Sequence, residues 1–320
     1  MISQSPQQNQ DPANKKDAWF VGKLALIAER PGQWSLYFKN LQSSYTYSFN
    51  ADISMDSMSV IKIPLLMTLL KKVDEGVVDL RQEVLLTNAR KRFGTGILVA
   101  MDVGHVLTIK DAATLMMALS DNTATDILFE IVGGPKEVNS TMHKLGFDKI
   151  SVVGTSFDWF KSLATSIDPA AATYSPEELF LKGFGIKDKA ELHRARSSFH
   201  FSSMPAFSLA SSGAIGGLLE LLVTGQFVSE AVSAAALAYL NLQSGGSRIP
   251  RYLPPDALVY HKSGDFNPFI ANDAAVVRKS NGDQFVLCIF SNGNTGNWGD
   301  NEEVIARIAQ DCYIELDKIT

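Results

Sequence analysis

The chain has 320 residues, 46% of them hydrophobic, enough to bury the core of one large domain or of two joined subdomains. Its 29 lysines and arginines stand against 34 aspartates and glutamates, a formal net charge of −5, which excludes the basic footprint of a nucleic-acid-binding protein. No run reaches the roughly 18 apolar residues of a membrane span. The two cysteines, Cys288 and Cys312, sit far apart in no metal-ligand spacing, so no metal site or disulfide framework is expected, with a single structural bridge left open.

Residues 1–16 are polar and rich in Gln, Asn and Pro, without the basic start and apolar run of a secretory signal, and are expected to be a disordered tail. The protein is then either cytoplasmic or the mature form of an exported one. Residues 34–38 and 45–49 read as strands joined by the polar turn 40–44, a hairpin. Helical periodicity takes over after Ser57, at 61–73, 109–119 and on to 132, 135–145 and 213–223. Strands return at 257–261, 274–278 and 285–290, and an amphipathic helix closes the chain over 302–316.

Strands at both ends with helices between them imply an α/β (α+β) fold, in which the two ends share one antiparallel sheet flanked by terminal helices and an all-helical subdomain is inserted. Residues 17–320 then form one catalytic domain, with an α/β subdomain of 17–57 plus 245–320 and a helical subdomain of 58–244. A site is expected in the cleft between them. The segment 157–207 is rich in aromatic residues, among them Trp159, Phe160, Phe184, Phe199 and Phe201, and reads as extra helical core more readily than as a lid. The basic run 187–196 carries acids too and reads as a solvated face.

Three short motifs follow in order: Ser59-Val60-Ile61-Lys62 opening the first long apolar helix, Ser120-Asp121-Asn122 interrupting the next helical block, and Lys262-Ser263-Gly264 at the end of a strand. Each alone is unremarkable, a helix start, a turn and a strand end. In this order they match Ser-x-x-Lys, Ser-Asp-Asn and Lys-Thr-Gly, with Ser263 in place of the threonine, and the chain resembles the class A β-lactamases and penicillin-binding proteins over about residues 34–316. The surroundings Phe93-Gly94-Thr95-Gly96, Gly133-Gly134-Pro135, Arg248-Ile249-Pro250 and Asn272-Asp273 extend the resemblance. It implies a β-lactamase/transpeptidase-like fold and a serine hydrolase acting through a Ser59 acyl-enzyme.

The physics of the first motif agrees. A serine in the first turn of a helix lies among unpaired N–H groups at the positive end of the macrodipole, where an oxyanion is stabilised. Lys62 projects from the same face, within reach of that hydroxyl. To act as a base it must be neutral, and lowering its pKa from about 10.4 to near 7 costs roughly 4.6 kcal/mol, within what burial and a neighbouring cation supply.

The resemblance implies that this cation is Lys262, that Ser120 relays a proton, that Asn122 binds the substrate's amide carbonyl and that Ser263 contacts the group next to the reacting carbonyl. Gly264 belongs to the same substrate-binding strand, and the N–H groups of Ser59 and Asp265 make the oxyanion hole. Asp121 reads as structural, orienting its loop.

Two departures from the family pattern bear on substrate. The glutamate that activates the deacylating water is missing from its usual setting; near 156–159 the only acid is Asp158, the candidate for that role, with Glu177 and Glu178 further along, although a surface or helix-start acid is the plainer reading of each. Asp265 shares the strand face of Ser263, where the family receives the substrate's carboxylate, and like charges 4 Å apart repel by roughly 4 kcal/mol at an effective dielectric of 20. Unless Asp265 is protonated or turned away, an anionic β-lactam is disfavoured.

The expected activity is cleavage of an amide or lactam bond in a small-molecule substrate by a monomer without cofactor or metal. The alternatives are an esterase or penicillin-binding, DD-peptidase-like hydrolase with slow or absent β-lactam turnover, and a non-catalytic binding protein on the same scaffold. A Ser-His-Asp hydrolase finds no Gly-x-Ser-x-Gly and no histidine whose sequence setting marks a base.

Overall fold

The computed structural model describes residues 15–28, 30–183 and 206–316. Helix α1 (Lys15–Ala28) precedes the hairpin of β1 (Gln33–Asn40) and β2 (Thr46–Phe49), whose turn is held by Asn40 Oδ1 accepting from the amides of Gln42 and Ser43. A short strand β3 (Met55–Asp56) leads through a 3-10 turn (Met58–Ile61) into helix α2 (Lys62–Asp74). The helical block continues with α3 (Ile109–Ala118), α4 (Asn122–Val132), α5 (Pro135–Lys144), α6 (Ser156–Ile167), α7 (Pro176–Lys182), α8 (Ser212–Val223) and α9 (Glu230–Leu240). Strands β4 (Leu258–Phe266), β5 (Ile270–Arg278) and β6 (Gln284–Asn292) and helix α10 (Trp298–Ile314) complete the chain.

The two ends share one five-stranded antiparallel sheet in the order β2-β1-β6-β5-β4, closed where Gln33 through Asn40 pair with Asn292 through Phe285. Side chains alternate across it. Ala274, Val276, Val286, Cys288 and Phe290 enter the core shared with α2 and α8, while Ala275, Val277, Phe285, Leu287 and Ile289 enter a second core beneath α1 and α10. β5 and β6 are covered on both faces and so carry the continuous apolar runs Ala274–Val277 and Phe285–Phe290, with their polar residues toward the ends. Cys288 and Cys312 are free thiols in these two different cores, so no bridge joins them.

Several boundaries differ from expectation, β5 among them, which begins at Ile270 and not at 274. Helix α1 takes up Lys15 and Lys16 of the expected tail, and residues 1–14 lie outside the described residues. It is anchored by Phe20, which stacks on Tyr47 at 4.3 Å and packs on Phe38 at 4.9 Å, a tertiary anchor that propensity does not reveal. β4 runs on to Phe266, because an edge strand accepts the polar residues Lys262 to Asp265 that its apolar pattern lacks. The closing helix begins at Trp298, earlier than expected, capped by the side chain of Asn297.

Within 157–207, Trp159, Phe160, Leu163 and Leu179 are buried in the helical core. Phe184, Phe199, Phe201 and the basic run 187–196 lie outside the described residues.

Candidate active site

Ser59 sits half-buried in the 3-10 turn ahead of α2. The backbone reaches that turn through Met58 at φ +47°, a left-handed conformation stabilised by its amide donating to the Asp56 carboxylate at 3.1 Å. Burial pushes Asp56 up to about 6 although it accepts from the amides of Met58 and Phe207. A 3-10 turn has three residues per turn, so Ser59 and Lys62 lie on one face. Strand β4 runs close alongside: a methyl group on Gly264 would come within 3.1 Å of the amides of Ser59 and Val60 and closer still to Ser57 O. Only glycine fits there, and the Ser59 amide faces the edge strand.

Lys62 is fully buried. Its Nζ donates to Ser120 O at 2.7 Å, Ser120 Oγ at 2.9 Å and Asn122 Oδ1 at 3.0 Å. Both Ser120 oxygens converge on the amine because Ser120 adopts φ +54°, and Ser120 O also accepts from Thr95 Oγ1 at 2.6 Å. Asn122 is oriented by donating to Phe93 O at 2.9 Å. Burial brings Lys62 down to about 7, against the opposing pull of Asp121 and Asp126.

One expectation is corrected. The three donors of Lys62 are taken up by Ser120 and Asn122, and Ser59 is not among its partners, because a buried amine fills its acceptors locally. Burial leads the lowering of Lys62, and the repulsion between the two buried lysines is mutual. Lys262 is itself fully buried and held well below the ordinary lysine range, first by burial and then by the charges of Lys62 and Arg248, with Asp273 opposing.

Asp121 has the structural part expected of it. It caps α4 by accepting from Ala124 N at 2.9 Å and holds the 93–98 loop by accepting from Ile97 N at 2.8 Å and Leu98 N at 3.0 Å. Asp126, one turn further along α4, accepts from Arg92 Nε at 2.6 Å and from the amides of Ser156 and Phe157 at 2.8 and 2.9 Å, pinning the start of α6. Its signal in the sequence was an acid directly before the apolar Ile127-Leu128-Phe129.

Asp158, the candidate for activating water, is not brought into this group. Its exposed carboxylate closes a capping box with Thr155 at the start of α6, accepting from Thr155 N and Oγ1, both at 2.8 Å. Asp158 is thus a helix-start acid, because helix α6 begins at the point where the family's water-activating loop was sought. Glu178 caps α7 in the same way, its backbone bond to Ser175 holding it down at about 2, and Glu177 lies on the same exposed turn.

Along β4, Lys262 donates to Gln243 Oε1 at 2.7 Å and to Ser263 O at 3.1 Å. Gln243 also accepts from Ser263 N and donates to Ser263 Oγ, both at 3.1 Å, a bridge with no signal in the sequence. His261 Nδ1 pairs with buried Asp273 Oδ1 at 3.0 Å. Burial works to raise Asp273, but His261, Arg248 and the Ile249 amide outweigh it and hold its carboxyl low. This histidine–carboxylate pair, unforeseen from sequence spacing, does not include Ser59.

Asp265 is turned to Arg248, whose Nη2 donates to its carboxylate and, at 3.2 Å, to Glu302. Arg248 Nη1 donates to Asn272 O at 2.7 Å, and the guanidinium lies 5.3 Å over the Trp298 ring. Arg248, Asp265, Trp298 and Glu302 line a cavity of about 340 Å3 beside Ser263. Among the described residues no group of three or more His, Cys, Asp or Glu side chains could hold a metal ion, and no helix is long and apolar enough to cross a membrane.

Residues 23–316 match the Beta-lactamase enzyme family. The extended-spectrum β-lactamase PER-1 of Pseudomonas aeruginosa is 23% identical over 272 residues, 82% of this chain and 76% of its own. The β-lactamase VEB-1, also of Pseudomonas aeruginosa, is 22% identical over 85% of this chain and 81% of its own. Among solved structures, a β-lactamase from Sphaerobacter thermophilus superposes with a TM-score of 0.72 at 22% identity, covering 94% of this chain and 97% of that one. PBP-A superposes with a TM-score of 0.73 at 20% identity over 93% and 95%, and a PBP-A mutant described as an acyl-enzyme complex with penicillin G does so at 0.73, 20% identity, over 93% and 96%. With its sheet, its three motifs brought next to one another and this match over most of its length, the chain belongs to the Beta-lactamase enzyme family and is a serine hydrolase.

Proposed function

We propose that Ser59 is the nucleophile of an acyl-transfer reaction on a small-molecule lactam, amide or ester. The observation that carries this reading is a fully buried Lys62, about half of it neutral at pH 7, hydrogen-bonded to Ser120 and Asn122 one turn from Ser59. A neutral amine has two N–H groups and one lone pair, so it releases one of its three present acceptors and turns the lone pair to the Ser59 hydroxyl. Lys62 takes that proton, Ser59 Oγ bonds to the carbonyl carbon, and the N–H groups of Ser59 and Asp265 receive the oxyanion. The proton returns through Ser120 to the departing nitrogen or oxygen as its bond to carbon breaks. Asn122 receives the amide carbonyl, Lys262 and Gln243 fix Ser263, and Ser263 and Gly264 bound the cleft on the strand side.

Water must then clear the ester. Among the described residues no carboxylate hydrogen-bonds to Ser59, Lys62 or Ser120, and a general base supplies roughly 10²- to 10⁴-fold. That favours the penicillin-binding or esterase-like reading, in which acylation outruns deacylation and the acyl-enzyme accumulates. Incubation with a chromogenic cephalosporin and with short-chain aryl esters, followed by intact mass, tests this. A persistent adduct on the wild-type chain that is absent from Ser59→Ala is expected; adduct on Ser59→Ala rejects the nucleophile, and fast lactam turnover without adduct rejects the slow deacylation. A chain that neither turns over nor is labelled by any acylating agent would be the binding protein instead. The catalytic unit is taken as residues 17–320 acting as a monomer, which light scattering checks; the exposed large apolar side chains are spread over many elements and support it.

A further inference from the structure

The cavity beside Ser263 has one cation in its lining, Arg248, against three carboxylates, those of Asp265, Asp273 and Glu302. Arg248 is buried, with 4% of its side chain exposed, and both terminal nitrogens are engaged: Nη1 with Asn272 O, Nη2 with Asp265 and Glu302. Trp298 covers its face. Asp265 is the most accessible of these partners, 39% exposed against 15% for Glu302. It stands two residues beyond Ser263 on the edge strand, on the same face, so its carboxylate lies between an arriving ligand and the guanidinium.

We infer that Asp265 is a specificity-determining residue: its carboxylate occupies Arg248 in the manner of a substrate's own anionic group, so the site selects substrates that carry an uncharged or cationic group, and not a carboxylate, beside the reacting carbonyl. The inference rests on Ser59 and Ser263 bounding the substrate cleft as proposed above. An anionic substituent entering the cavity must displace Asp265 from Arg248, leave that carboxylate unpaired beside it, and face two further acids. A neutral ester leaves the existing pair intact. A cationic substituent gains from all three acids, and Trp298 offers an aromatic wall next to them.

The test uses one chromogenic cephalosporin in three forms: the free carboxylate, its methyl ester and a quaternary-ammonium alkyl ester. Acylation of the full chain is followed by intact mass against time. The neutral and cationic forms are expected to acylate the wild-type chain faster than the anion by about tenfold or more, and Asp265→Asn, together with Asp265→Ser as a second variant, to shift the ratio toward the anion by at least about as much. Faster acylation by the anion in the wild type, or a ratio that neither variant moves, overturns the inference. Equilibrium binding of the same three compounds to Ser59→Ala, which cannot be acylated through that oxygen, should show the same charge order. A correct charge order there with no acylation of the wild type would reject the nucleophile and keep the inference, whereas acylation without the charge order would do the reverse.

Discussion

In the folded protein the Lys62 amine gives up its proton near pH 7, whereas in the unfolded chain it holds it to about 10.4. Between those two pH values the unfolded state binds more protons than the folded one, so stability rises with pH there and is lowest below pH 7. The change from pH 7 to 9.5 is on the order of 3 kcal/mol from this group. Urea unfolding at those two pH values should show the gain in the wild-type chain and a smaller one in Lys62→Met, where the buried Lys262 still contributes; equal gains would mean that the Lys62 amine is not desolvated as the structure has it. The same proton sets the chemistry. The second-order rate of acylation is expected to rise through an apparent pKa near 7, and Lys62→Arg, which stays charged, to lower it by roughly 10²-fold or more, measured by stopped flow.

At the scale of elements, the 3-10 turn and the edge strand position each other through a single missing side chain. Gly264→Ala forces a methyl group against the Ser57 carbonyl and the Ser59 amide, so it should destabilise the fold by roughly 1 to 3 kcal/mol in urea and depress acylation in the part that remains folded. Asp121→Ala removes a helix cap and two loop contacts at once and should cost roughly 2 kcal/mol or more, with the 93–98 loop losing its protection from hydrogen exchange.

What was legible at this scale follows from how local the cause is. The Ser-x-x-Lys turn, the Ser-Asp-Asn corner, the helices α2 to α5 and the hairpin are each specified within a few neighbouring residues, and each lies where its pattern put it, within a few residues at the ends. Asp265 is different. Its partner Arg248 comes from another segment, as does Gln243 for Ser263, and no spacing rule links residues that meet only across a cleft. Asp158 failed as a site candidate for the converse reason: a strong local use, the capping box with Thr155, absorbed the only acid near that turn.

Over the whole molecule, the sheet is a partition with a core on each side, and each core holds one buried thiol. Burial raises both Cys288 and Cys312 far above the range in which a thiol is reactive. A thiol reagent should therefore label neither in the native protein and both once it is denatured; native labelling would show that one of the cores opens. That the two ends share one antiparallel sheet followed from reading strands at both ends around a mainly helical stretch; the strand order within it, and the short strands 83–85, 106–108, 150–152 and 208–210 of the middle stretch, did not.

That order fixes when the protein can take shape. Beyond its hairpin partner β2, β1 finds its second neighbour only in residues 285–292, about 250 residues further along, so the sheet whose edge strand flanks Ser59 cannot close until that strand has left the ribosome. The N-terminal hairpin must wait as an unpaired half, and a nascent chain stalled before Gln284 would hold the strand that faces the serine in a β4–β5 hairpin not yet joined to β1.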